Sequence, residues 1–230
     1  MRVLVVCGLD FEARIAAGAG CETLHGMRGT ALAEALASRL RAGVDGVDGV
    51  LSFGVAGGLA PGLEAGDVVV ADTVLDGERR LPTDAGWTQA LRQALAGCKT
   101  GLLAGVDAPV TTVAAKAALH HTHGAAIVDM ESHLAARVAH AHGIPFAACR
   151  VVLDSAARAV PAAAVAGMAD DGRSDVLAVL AALAKSPREL GPLLRLARDA
   201  ATARVALRNA RRALGEGFSL PAALLGETHA

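Results

Sequence analysis

Six short apolar runs, separated by alanine-rich stretches of helical spacing, constrain the fold of this chain more than any other feature. The runs cover residues 2–7, 49–53, 67–74, 100–106, 125–130 and 146–153 and are rich in Val and Leu. A strand with almost no polar alternation is covered on both faces. Between the runs, Ala, Leu and charged residues recur at helical spacing over 30–42, 87–96, 113–122 and 131–142. Strands alternating with helices build a mostly parallel sheet. The expected fold is α/β: a single-domain three-layer sandwich with a mostly parallel central sheet flanked by helices, extended by helices at the C-terminal end.

Beyond residue 172 the texture becomes helical, over 174–185 and 188–214, with a break at Ser186-Pro187. The second stretch is basic: from Lys185 to Arg212 eight Lys/Arg face Glu189 and Asp199, a local excess of +6 in a chain whose net charge is −1. The reading is one domain over 1–217, including the basic helix 188–214, and a loose tail over 218–230, where Gly, Pro and polar residues show no period. Leu190, Leu193, Leu194 and Ala197 form a helical stripe, and Arg204, Arg208, Arg211 and Arg212 continue along it, so the stripe turns from apolar to basic. Such a surface suits contact with anionic lipid; a helix packed on the domain with a solvated basic end fits the same periodicity.

Composition narrows the function. Half the chain is hydrophobic (53%) and 20% charged, enough for a large core. Near-neutral net charge offers no field for nucleic acid, and with 2% aromatics and no Tyr a base-stacking platform for single strands is excluded. No run reaches the roughly 18 apolar residues of a membrane span. Cys7, Cys21, Cys98 and Cys149 are far apart and form no CxxC pair, which reads as buried, reduced thiols in a cytoplasmic protein. His120, His121 and His123 would splay apart at a helix end, so no metal site is expected.

Four constellations could carry chemistry. The first is the glycine cluster 52–62, with Gly54, Gly57 and Gly58, where backbone N–H groups can approach a ligand without Cβ obstruction; it has neither P-loop nor GxGxxG spacing. The second is Val128-Asp129-Met130-Glu131-Ser132 at a strand-to-helix junction, and the third is Cys149-Arg150-Val151-Val152-Leu153-Asp154, an apolar strand ending in an acid. The fourth is Gly8 to Arg14, which holds Asp10 and Glu12. Each alone admits a structural reading, as a tight turn, a helix-terminal acid, a capping Asp or a surface turn. Together they bring a glycine loop and three acidic loops to strand ends, where open α/β sheets bind ligands. An acid bordered by Val, Val and Leu is partly desolvated, which keeps it protonated nearer neutral pH.

The order Gly8-Leu9-x-x-Glu12, Gly54-x-Ala56-Gly57-Gly58-Leu59-Ala60-Pro61-Gly62-Leu63-x-x-Gly66-Asp67-Val68-Val69-Val70, Val128-Asp129-Met130-Glu131-Ser132 and Arg150-Val151-Val152-x-Asp154 resembles the nucleoside phosphorylase/nucleosidase superfamily, collinearly over roughly 2–155. Within it the chain is similar to the methylthioadenosine/S-adenosylhomocysteine nucleosidase type. A closer resemblance, running through the Arg-rich region to about residue 214, is to the hopanoid-associated phosphorylases, which remove adenine from adenosylhopane.

The resemblance implies cleavage of the N-glycosidic bond of a 5′-substituted adenosine, by hydrolysis or phosphorolysis. Adenosylhopane is then the substrate expected, with a soluble methylthioadenosine-type nucleosidase or a non-catalytic nucleoside- or lipid-binding module as alternatives. By the same resemblance Asp154 is the acid that protonates purine N7, Glu131 accepts from the ribose hydroxyls, Met130 packs under the sugar and Glu12 activates water. Val110 supplies backbone contacts to the base, Gly57 and Gly58 bind substrate, and Val55 holds the position that helps bind the nucleophile or phosphate. It implies no cofactor, with phosphate as co-substrate in the phosphorolytic case, and a homodimer or higher homo-oligomer. A cytoplasmic location follows, with peripheral contact with the inner membrane if the substrate is lipid-linked. The chain departs from the pattern at Pro109, where relatives place an aromatic, at Val55, where they place Ser or Thr, at the missing arginine ahead of the glycine cluster, and at Leu153 and Ala157, which replace polar residues flanking Asp154.

Overall fold

The computed structural model describes residues 2–41, 46–166 and 176–225. In chain order the elements are β1 (Val3–Val6), α1 (Asp10–Ala16), β2 (Cys21–Leu24), α2 (Gly29–Arg41), β3 (Gly49–Gly58), β4 (Val68–Asp76), β5 (Arg79–Pro82) and α3 (Ala85–Ala94). There follow β6 (Lys99–Gly105), α4 (Val113–His123), β7 (Ala125–Asp129), α5 (Ser132–Ala141), β8 (Phe146–Asp154), α6 (Ala162–Ala166), α7 (Val176–Lys185) and α8 (Leu190–Leu214). All six apolar runs are strands, and the α/β class holds.

Period-two packing splits the core across the sheet. Leu4 and Val6 of β1 face a cluster with Leu32 and Leu36 of α2 and Leu134 of α5. Val3 and Val5 face another with Trp87 of α3 and Leu207 and Leu214 of α8. Local chemistry sets the helix ends: Asp84 accepts from Trp87 N at 2.7 Å, Thr112 accepts from Ala115 N at 3.1 Å, and Gly124 closes α4 at φ 72°.

The sheet is mixed and closes on itself. β1 pairs in parallel with β2 and β3, β3 with β8, β4 with β6 and β6 with β7. Antiparallel contacts of β8 with β4 and of β3 with β7 join these groups into a ring of five strands, β3–β8–β4–β6–β7. The closure is why Gly57 and Gly58, paired with Val128 and Ile127, lie between β8 and β7.

Two segments differ from expectation. Residues 54–58 are the distal half of β3, not a loop, because their backbone is held by β8 on one side and β7 on the other. The acidic segment after β1 is the helix α1, whose Glu12 and Ala13 are buried.

The C-terminal part also departs from the sequence reading. The segment expected as a loose tail is packed: Phe218 is fully buried, its carbonyl accepts from Trp87 Nε1 at 2.8 Å, and its ring meets Phe53 edge-on at 5.2 Å between centroids. Residues 226–230 of that tail, and residues 174 and 175 of the helix expected over 174–185, lie outside the described residues. Along α8, Ala203, Leu207, Ala210 and Leu214 face the core. Leu190 and Leu194 stay more than half exposed (51% and 56%). The basic stripe is broken up: Arg204 stacks on Phe11 at 4.2 Å, and Arg211 stacks on Phe218 at 4.4 Å while donating to Ala16 O at 2.9 Å. Arg208 and Arg212 remain exposed. Among the described residues no helix is long and apolar enough to cross a membrane. Cys7 and Cys149 are buried thiols, whereas Cys21 and Cys98 are partly exposed, at a strand and a turn near the surface.

Candidate active site

Arg150 organises the first half of the site. It lies in the middle of β8, opposite Gly54 of β3, and is fully buried. A guanidinium in that position must be paired. Its Nε lies 2.7 Å from Asp129 Oδ2, an ion pair by distance without the linearity of a hydrogen bond. Its Nη2 donates to Ser52 Oγ at 2.5 Å, Ser132 Oγ at 3.3 Å and Glu131 Oε2 at 3.4 Å, and Nη1 to Val55 O at 3.4 Å.

Asp129 and Glu131 share a motif and divide the labour. Asp129 accepts from the backbone N–H groups of Ser132 at 3.0 Å and Glu131 at 3.3 Å and from the Ser132 hydroxyl, so it caps α5 as well as pairing with Arg150. Glu131 makes no cap hydrogen bond of its own. Its carboxyl instead reaches towards the end of β1, where a Cβ on Gly8 would stand 2.6 Å from Oε1, so glycine leaves the space this carboxyl occupies.

Glu12 enters from α1. At N3 of that helix its Oε2 accepts from Gly8 N at 2.8 Å and Leu9 N at 2.9 Å, satisfying helix-terminal donors, while Oε1 accepts from Val55 N at 2.7 Å. Gly54 makes room in the same way: a Cβ there would stand 2.6 Å from the Glu12 carboxyl and 2.7 Å from Arg150 Nη1, so one of them would have to move. Val55, expected on the nucleophile side, presents only its backbone.

Two of the carboxyl groups around this one guanidinium, Glu131 and Glu12, hold their protons more tightly than usual. Burial is the largest cause for Glu131, pushed up to about 7, with the charges of Asp129 and Glu12 adding to it and those of Arg150 and Arg28 opposing it. Burial also raises Glu12, against Arg150 and the backbone donors at Val55, Leu9 and Gly8.

Asp154 ends β8 on the far side of Gly57, where a Cβ would lie 3.8 Å from its Oδ1. Its Oδ2 pairs with the ammonium of Lys116, a fully buried residue of α4. Burial raises the Asp154 pKa, and Lys116 opposes the rise. Asp154 opens on a cavity of about 270 Å³ walled by Arg158, Pro192, Leu196 and Asp199, in which Arg158 and Asp199 form an ion pair. A larger depression of about 770 Å³ lies at α3, lined by Asp72, Thr83 and Arg92, and holds none of the buried acids.

Glu12, Glu131 and Val55 thus meet around Arg150, with Glu12 and Arg150 beside Gly54, while Asp154 lies beside Gly57 and Gly58 further along β3. A Cβ on Gly58 would lie 3.1 Å from Asp154 O. Met130 is half-buried between Asp129 and Glu131, and Val110 packs against the cluster of Leu59 and Val128. Sequence reasoning passed over Arg150 and Lys116. The signal for Arg150 was present, a charge inside an apolar run; Lys116, one cation in an alanine-rich helix, carried none.

A self-closed α/β sheet with buried acids at its strand ends defines the class of the molecule. The chain belongs to the phosphorylase superfamily, whose family model matches residues 14–186. Among solved structures it is similar to the native futalosine hydrolase of Helicobacter pylori, at TM-score 0.62 and 18% identity over 91% of this chain and 97% of that one. It is also similar to the 5′-methylthioadenosine/S-adenosylhomocysteine nucleosidase of Neisseria meningitidis in complex with methylthio-immucillin-A (0.62, 21%, 91% and 97%). The nucleosidase of that name from Campylobacter jejuni matches at 0.64 and 14%, over 93% and 98%. Comparison with curated protein sequences gives no match.

Proposed function

We propose that the protein cleaves the N-glycosidic bond of a 5′-substituted adenosine and releases adenine. The observation that carries the reading is the set of three buried carboxyl groups: Glu12 beside Gly54 and Asp154 beside Gly57 of β3, with Glu131 against Gly8. In this reading Asp154 gives its proton to purine N7, and the electrons of the C1′–N9 bond leave with adenine. Glu131 accepts from the ribose hydroxyls and, with the surplus negative charge around Arg150, stabilises the cationic sugar. Water attacks C1′ and Glu12 takes its proton. Val55 supports water over phosphate, since it offers no hydroxyl, and Arg150 is committed to Asp129 and Glu131.

The fold neighbours named for methylthioadenosine and adenosylhomocysteine favour a small soluble substrate. A lipid-linked adenosyl group such as adenosylhopane is the second reading. It is favoured by one observation: the wall of the Asp154 cavity is the start of α8, where Leu190 and Leu194 are exposed. The test is chromatography of products from methylthioadenosine, adenosylhomocysteine and adenosylhopane, with and without phosphate. Adenine and the free sugar from the small nucleosides without phosphate are expected. Adenine from adenosylhopane alone selects the second reading; ribose 1-phosphate as the sole sugar product reverses the choice of nucleophile; no adenine from any of them contradicts the proposal.

A further inference from the structure

α4 inverts the usual rule for a surface helix. Its one buried residue is Lys116, while Val113 is 42% exposed. The lysine is saturated: Nζ donates to Asp154 Oδ2, to Ser155 O at 3.0 Å and to Arg158 O at 2.8 Å, three acceptors for three N–H groups. Burying an ion pair costs desolvation that an apolar side chain of equal volume avoids, so stability alone does not explain a lysine here.

Geometry supplies the explanation. Oδ2 of Asp154 is engaged by the ammonium, whereas Oδ1 has no hydrogen bond among the described residues; the carboxyl as a whole lies beside Gly57, a Cβ there standing 3.8 Å from Oδ1 and 3.9 Å from Oδ2. The two carbonyls bound by Lys116 belong to the loop that follows Asp154, and Arg158 of that loop is tied to Asp199 of α8. We propose that Lys116 is a positioning residue for the acid Asp154: its ammonium pins one carboxyl oxygen, leaves the other to face the leaving group, and sets the pH range in which the acid works. The inference rests on the reading of Asp154 as the proton donor.

The charges facing Asp154 are Lys116 from α4 and Asp199 from α8, the latter paired with Arg158. Lys116 stabilises the carboxylate, so it makes Asp154 the stronger acid once substrate is bound and brings down the pH at which the proton is lost. The sign follows. Activity that needs the protonated acid falls as pH rises through the Asp154 pKa, and removing the ammonium moves that fall to higher pH, by about 1–3 units for an opposite charge at this range.

The experiment is the pH profile of kcat/KM for Lys116→Met, with Lys116→Gln as a second neutral variant and Lys116→Arg as the charge-keeping one. The Asp154 carboxyl carbon is titrated by NMR in each folded protein. Both neutral variants are expected to move the alkaline limb and the NMR titration upward, with a smaller loss of kcat than removal of the acid itself, and Lys116→Arg to stay near wild type. A limb and titration unmoved in a folded neutral variant of an active enzyme make Lys116 a structural strut and overturn the proposal. Absence of adenine release by the wild type contradicts the functional reading instead; the NMR titration then decides the pairing by itself.

Discussion

The two sides of the β3 glycines solve the burial of charge in opposite ways. Around Arg150 one cation faces three buried carboxyl groups, Asp129, Glu131 and Glu12. Beyond Gly57, one buried cation, Lys116, faces one, Asp154. The first region holds more acid than one guanidinium can neutralise, so burial and mutual repulsion raise Glu131 and Glu12, and a positive sugar favours their ionised forms and is stabilised by them in turn. The second is balanced in charge, so its acid can give up a proton and end as a paired carboxylate. A site that stabilises a cationic sugar on one side and protonates a leaving group on the other needs that inequality.

Arg150→Met breaks the first region outright. Three buried carboxyl groups lose their counter-charge, and a cost of about 3–5 kcal/mol in unfolding free energy is expected. Urea denaturation at pH 8 and pH 5 checks it; the loss shrinks at pH 5, where protonation relieves the repulsion.

Glu131→Gln sharpens the comparison without breaking it. The folded pKa of Glu131 is raised to about 7 from an ordinary 4.5, so the folded state binds the proton more tightly than the unfolded chain. Stability is therefore fully present below about 4.5 and is lost as pH rises towards 7, a difference of up to about 3 kcal/mol for the isolated group. Thermal unfolding followed from pH 5 to pH 8 is expected to show that fall in the wild type and a flatter dependence in Glu131→Gln. An equal slope in both proteins places the excess proton on another member of the cluster.

Much of this arrangement is legible in the sequence because motif acids sit where strands end, and the six apolar runs mark those ends. What is not legible is pairing at a distance. Residues 21–24 (Cys-Glu-Thr-Leu) and 79–82 (Arg-Arg-Leu-Pro) are too short and polar to read as strands, and become β2 and β5 only by joining the sheet at its edges. α1 has seven residues, below what propensity sustains, and is held by the reach of Glu12 to Val55. Phe218 sits among Gly, Ser and Pro without periodicity, so its burial depends on Trp87 and Phe53, far away in the chain. Arg150 and Lys116 fall under the same rule: a cation's partner is chosen by tertiary approach, and the glycines at 8 and 54 acquire their meaning only once Glu131, Glu12 and Arg150 crowd against them.

The smallest expected effect in energy, about 2.7 kcal/mol for a hundredfold change, is also the most direct test. Asp154→Asn keeps the shape of the side chain and an acceptor for Lys116 but leaves that buried ammonium without its counter-charge, so the variant is expected to unfold at a lower temperature than the wild type yet to be folded at the assay temperature, while its kcat for adenine release from methylthioadenosine falls by about 100-fold or more. A folded Asp154→Asn protein that releases adenine at close to the wild-type rate would contradict the assignment of Asp154 as the acid and the account built on it.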